Sequence, residues 1–385
     1  MKFKYDFLLN KNIYLIFIVF IISVVPSSRG TDGSSFIFIN FIATVFFYLI
    51  CLWSYGTTKN KTITLIFILG LYFLSTVLSG FSDYTYGQLI SFLPVLFVFS
   101  LNFKNFNFKF NYIYVVLFFL FVSVLGWFSL FDGPLSYFVV HYYSSGYEGM
   151  VSRMIAADKA VSIFGTHSIA GFYYNLFSTY CFYLMWNQSK FRLVNFIFIL
   201  NFQAMNASLI SNTSLSFSVL FALSCICIIF FKMKKEFFVT STLTLFSIIV
   251  IIFLINHEEI MPLILGGSGN GLSSRYFEGV LQTTIEYILS NPLIGIGFSY
   301  SDGFYYTDSS YIAVALKVGI IGSIVFHVFA FNSISSFDNK VLNFIFIMFF
   351  MFFSVAYPIF NYYRFIGVFM ILLMGYKSIK GVVNE

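Results

Sequence analysis

Three arginines and a histidine are the side chains in this chain best placed by type to act on an anion: Arg153, Arg275, Arg364 and His167. An arginine presents a planar fork of donors that matches phosphate or carboxylate oxygens two at a time. The chain has five arginines against sixteen lysines. Arginine is therefore the exception here, and its placement suggests bidentate anion binding, with ion pairs to nearby acids as the alternative. His167 follows Arg153, Asp158 and Lys159 in SRMIAADKAVSIFGTHSIAG. A titrating imidazole at that point could take a proton from a hydroxyl, pair with a phosphate, or simply bond the backbone at a helix start.

A second group lies late in the chain. In SSRYFEGVLQTTIEYILSNP, Arg275, Glu278, Gln282 and Glu286 are spaced by 3, 4 and 4, so they share one face of a helix. Phe277, Val280, Leu281, Thr284 and Ile288 fall opposite, and Asn291-Pro292 ends the segment. Such a helix would lie along an interface with its polar face turned to a cavity. Gly295 and Gly297 in NPLIGIGF permit a tight turn or a close backbone approach to a ligand. Tyr306 and Asp308 follow, the aspartate at a capping position for the next helix. Lys317 lies inside that apolar segment, where a charge is a functional candidate or a snorkelling one. Tyr137, Tyr142, Tyr143, Tyr147, Tyr362 and Tyr363 suit an interfacial belt, or flat rings for sugar binding.

What must position these groups is a strongly apolar chain. Of 385 residues 59% are hydrophobic and 9% charged, well short of the quarter expected for a charged exterior. Long continuous apolar runs exclude an alternating β-barrel and call for helices. The runs predict an all-α polytopic membrane protein of about twelve transmembrane helices, near 12–27, 36–54, 62–80, 87–103, 112–131, 167–186, 191–210, 214–232, 236–255, 309–330, 341–357 and 364–378. The polar stretch NFQAMNASLISNTS allows a broken or re-entrant pair near 200–214.

Lysine and arginine set the orientation. With the N-terminus inside, fifteen of 21 basic residues face the cytoplasm and eleven of fifteen acids face outward. This predicts a single membrane domain over 1–385, with both termini cytoplasmic. Two long outer loops, 132–166 and 256–308, would carry the chemistry, the second holding the amphipathic interfacial helix. The four cysteines sit in apolar runs and read as buried small side chains. There is no Asp-X-Asp pair, no phosphate loop before a lysine, no Cys/His metal spacing and no Gly-X-Ser-X-Gly elbow. Metal-dependent and nucleotide chemistry are unsupported, and the distribution of the basic residues argues against nucleic acid.

Residues 273–322, SSRYFEGVLQTTIEYILSNPLIGIGF…TDSSYIAVALKVGIIG, resemble the late outer loop of the O-antigen polymerase and ligase superfamily (the Wzy polymerases and their ligase relatives). Residues 152–171 resemble the earlier loop of that family. The resemblance implies a bacterial inner membrane, with the two outer loops periplasmic, and a metal-independent, cofactor-free glycosyltransferase acting on undecaprenyl-diphosphate-linked oligosaccharide within membrane lipid, with a chain-length regulator as a candidate partner. It implies that Arg153, Arg275 and Arg364 hold the diphosphate. His167 is the first choice of base and Asp308 the second, with Lys317, Glu278, Gln282 and Tyr306 lining the cavity. A ligase using the same donor, or a flippase for the same lipid-linked units, are the alternatives.

Overall fold

The computed structural model describes residues 2–26, 34–81, 85–106, 111–131, 133–143, 148–187, 191–209, 212–230, 280–299, 309–356 and 363–383. These form α1 (Lys2–Val24), α2 (Ser34–Tyr55), α3 (Lys59–Ser79), α4 (Thr85–Ser100), α5 (Ile113–Phe128), α6 (Pro134–Tyr143) and α7 (Glu148–Ala156). They continue with α8 (His167–Asn187), α9 (Arg192–Ser208), α10 (Asn212–Phe230), α11 (Val280–Ser290), α12 (Ser310–Ile334), α13 (Lys340–Ala356) and α14 (Tyr363–Val383). The fold is mostly helical, and the predicted loop 132–166 contains α6, α7 and a 3₁₀ turn at Ser162–Phe164.

The twelve-span expectation is corrected. Among the described residues, three helices are long and apolar enough to cross a membrane: Phe38–Tyr55, Lys59–Ser79 and Ser310–Ile334. A bilayer core of about 30 Å needs about twenty apolar residues in one helix. The apolar portions Ile13–Val24, Ile113–Phe128, Ser214–Phe230 and Lys340–Val355 are shorter than that. The 16-residue α4 contains Pro94, and the 17-residue α9 carries Asn195, Asn201, Gln203 and Asn206. The predicted span at 236–255 lies outside the described residues. The predicted multi-pass placement in a bacterial inner membrane, with both termini cytoplasmic, is corrected with it. That placement rested on an even count of twelve crossings, which three candidate helices do not supply.

Helix packing explains where the other apolar residues go. α8 is buried almost throughout from Ala170 to Leu184 and packs on α9 and α10. α14 is buried from Tyr363 to Tyr376 and packs on α1. Tyr180 of α8 donates to the Leu372 carbonyl of α14 at 3.0 Å, joining the two most enclosed helices. A helix that is apolar on every side belongs in a core as readily as in lipid. By contrast α2 and α3 leave Trp53, Ile63, Ile66, Val77 and Leu78 exposed.

Where α8, α9 and α10 meet, polar side chains pair with one another, because an unpaired buried amide is costly. Asn175 Nδ2 donates to Asn206 Oδ1 at 3.0 Å, and Gln203 Nε2 to Asn175 Oδ1 at 3.1 Å and Ser178 Oγ at 2.9 Å. Asn206 Nδ2 donates to Ser218 Oγ at 2.7 Å. Gln203 and Asn206 thus close α8, α9 and α10 on one another.

The helix α12 is broken at Gly319 (φ 74°, ψ 176°). In a straight helix residues 311 and 327 would be about 24 Å apart along the axis. Here the Tyr311 and His327 rings stack at 4.5 Å, and Ser323 Oγ donates to the Tyr311 carbonyl at 3.2 Å. The two halves therefore lie side by side. The backbone of 292–297 fills the break: Ile296 N donates to Leu316 O at 2.9 Å, Gly297 N to Lys317 O at 2.8 Å, and Ile320 N to Pro292 O at 2.7 Å. A Cβ on Gly295 would sit 2.0 Å from the Leu316 carbonyl oxygen, and one on Gly319 2.5 Å from the Leu293 carbonyl carbon. The close backbone approach that NPLIGIG permits is made to the chain's own helix.

Candidate functional site

The first candidate segment is built by a sequence of stops and starts. Asp158 takes the left-handed conformation (φ 56°) just past α7, with Lys159 N donating to Met154 O at 2.9 Å. That six-to-one bond is how a left-handed residue closes a helix. A buried 3₁₀ turn follows, fixed by Ser162 Oγ on the Val122 carbonyl at 2.7 Å. Gly165 then turns through φ 73°, and Thr166 caps α8 by accepting from Ile169 N at 3.4 Å. His167 is thereby the first residue of α8, half-buried, while Arg153 stands exposed on α7.

Arg364 meets this segment from the other end of the chain. It is buried at the start of α14, and its Nη1 donates to the Ile163 carbonyl, four residues before His167. Nη2 lies 3.5 Å from the Val25 carbonyl, and Cζ sits 5.2 Å from the centre of the Tyr143 ring. Tyr143 in turn donates to Val24 O at 2.8 Å. Burial pushes the Tyr143 phenol up to about 12, with the Arg364 cation pulling the other way. A guanidinium has donors enough to hold several carbonyls at once, which a lysine ammonium on a flexible stem does less rigidly. One side chain thus ties together the ends of α1, α6 and the turn before α8.

The late segment is only partly described. Arg275, Glu278, Tyr306 and Asp308 lie outside the described residues, and Gln282 falls within α11. Within α11, Thr284 and Ile288 are buried and Glu286 is exposed, the division expected of an amphipathic helix. Lys317 is buried two residues before the α12 break at Gly319, with Nζ 5.5 Å from the centre of the Phe92 ring.

The structure therefore brings Arg364 to the His167 segment, with Arg153 on the helix that leads into it. Lys317 belongs to a separate region, against Phe92 and the 292–297 strand of backbone. Sequence reading missed the α12 reversal, for which the two glycines of LKVGIIG were the available signal. It also missed two lysines that hold carbonyls. Lys377 Nζ donates to Phe103, Lys104 and Phe106 O at 2.9, 3.0 and 2.9 Å, and Lys61 Nζ to Leu101 O at 2.7 Å. Among the described residues there is no metal-holding group of His, Cys, Asp and Glu, and the four cysteines form no disulfide. Comparison with protein-family models, with curated proteins and with solved structures finds no match for this chain.

Proposed function

We propose that this chain is a glycosyltransferase of O-antigen polymerase type, moving a growing glycan from undecaprenyl diphosphate onto a hydroxyl of a new lipid-linked repeat unit. The observation that carries the reading is the construction of residues 153–167. Arg153 is exposed on α7, and a turn pinned by Arg364 and Ser162 sets His167, half-buried, at the first residue of α8.

The reaction asks for little more than these groups. The acceptor hydroxyl oxygen attacks the anomeric carbon of the donor glycan, and the bond from that carbon to the diphosphate breaks. The bonding electrons leave with the lipid diphosphate, and the hydroxyl proton passes to His167, with Asp308 as the second choice of base. Arg153 and Arg275 stabilise the charge that develops on the diphosphate. No step calls on a metal or another cofactor. The exposed apolar faces of α2 and α3 suit contact with the polyprenyl tail and surrounding lipid.

A gel of surface polysaccharide tests the reading, using cells in which the gene is deleted and then restored as wild type, Arg275→Ala or His167→Ala. The expected result is collapse of the ladder to core plus one repeat unit, restored by wild type and by neither variant. Core without any repeat unit, with polymer retained on its lipid carrier, would assign a ligase instead. Repeat units held on the side where they are made would assign a flippase, and an unchanged ladder would remove all three.

A further inference from the structure

The helix α6 has two faces with different company. Its last residue, Tyr143, lies against the Arg364 guanidinium, inside the tie that sets the turn before His167. Six residues earlier, about 9 Å along the helix axis, Tyr137 stands 67% exposed. Its ring is not free to wander. Tyr137 and His141, one turn apart, have rings parallel to within 9° with centres 5.4 Å apart. Such an offset parallel pair is a favoured aromatic arrangement and holds the tyrosine in one orientation. An exposed flat ring held in place loses little freedom when a ligand covers it.

We infer that the Tyr137–His141 pair is a sugar-stacking subsite, which receives the apolar face of a pyranose ring of the glycan near the Arg364 tie. This rests on the glycosyltransferase reading above. A pyranose ring carries axial C–H bonds on one face and hydroxyls at its edge, so it covers an aromatic ring without burying unpaired polar groups. The distance along α6 is within the reach of an oligosaccharide whose reducing end lies beside the 153–167 segment. A lipid contact would ask only for apolar area at this position, whereas a sugar face asks for flatness.

That difference sets the experiment. Cells lacking the gene are complemented with wild type, Tyr137→Leu, Tyr137→Trp, His141→Ala or His167→Ala, matched for protein level, and polymer is quantified on surface-polysaccharide gels. Tyr137→Leu keeps apolar area and loses the flat ring, so polymer should fall about two- to tenfold. Tyr137→Trp should keep it, and His141→Ala should fall less far than Tyr137→Leu. If Tyr137→Leu matches wild type while His167→Ala abolishes polymer, the subsite is overturned and the transferase reading stands. If deletion of the gene leaves the ladder unchanged, the transferase reading falls and the subsite with it.

Discussion

Arg364 donates through Nη1 to the carbonyl of Ile163, 201 residues earlier in the chain, and its guanidinium lies over the ring of Tyr143. A side chain read from sequence as an anion ligand is here directed at backbone oxygens, and that use has consequences that can be measured.

Arg364→Ala should destabilise the fold, because it strands the Ile163 carbonyl in a buried site. Leaving such an acceptor unpaired costs about 1–3 kcal/mol. Thermal unfolding of the extracted protein should show a lower Tm, and Arg364→Lys should recover only part of it. Loss of polymer at an unchanged Tm would instead mean that Arg364 acts on substrate.

His167→Ala and Arg153→Ala should behave in the opposite way. One side chain is half-buried and the other exposed, so neither removal empties a core. Polymer should be lost while Tm stays close to wild type. A Tm drop as large as that of Arg364→Ala would reduce both to structural roles.

Gly295→Ala should be among the most damaging single-carbon changes. Its Cβ would meet the Leu316 carbonyl at 2.0 Å, where backbone faces backbone and no side chain can swing away. Overpacking of this kind costs about 1–3 kcal/mol. Gly70→Ala, with nothing within 4 Å of its Cβ, is the control expected to leave Tm unchanged or slightly raised.

Asn206→Leu should weaken the α8–α10 assembly by about 2 kcal/mol, since it removes the acceptor of Asn175 and the donor to Ser218. Denaturation monitored through the whole chain reads this directly. A neutral result would show that water takes over both positions.

The stability of Tyr143 has a pH signature. Its folded value of about 12 lies above the ordinary 10, so the folded state holds its proton longer. Its contribution is complete below pH 10 and drains as pH rises from about 10 to about 12. Tyr143→Phe should flatten that part of the stability–pH curve, and an unchanged slope there would remove the assignment.

Some of this molecule was determined by sequence alone. Apolar runs in a chain with 9% charge placed helices at 34–55, 59–79, 113–128 and 340–356 to within a few residues, because helix formation is local. The amphipathic division of α11 followed from spacing, and so did the candidacy of Arg153 and His167, since residue type and position are all that such a reading needs. What tertiary structure decided was the solvent of each helix and the partner of each polar group. Hydropathy registers that α8 and α14 are apolar without registering that other helices cover them. It counted runs as crossings, where three helices among the described residues have the length and composition to cross. The reversal at Gly319 depends on 292–297 supplying partners for the freed backbone groups, and the Arg364 tie on a carbonyl 201 residues away. Contacts of that kind are set by packing between distant segments, and no local pattern encodes them.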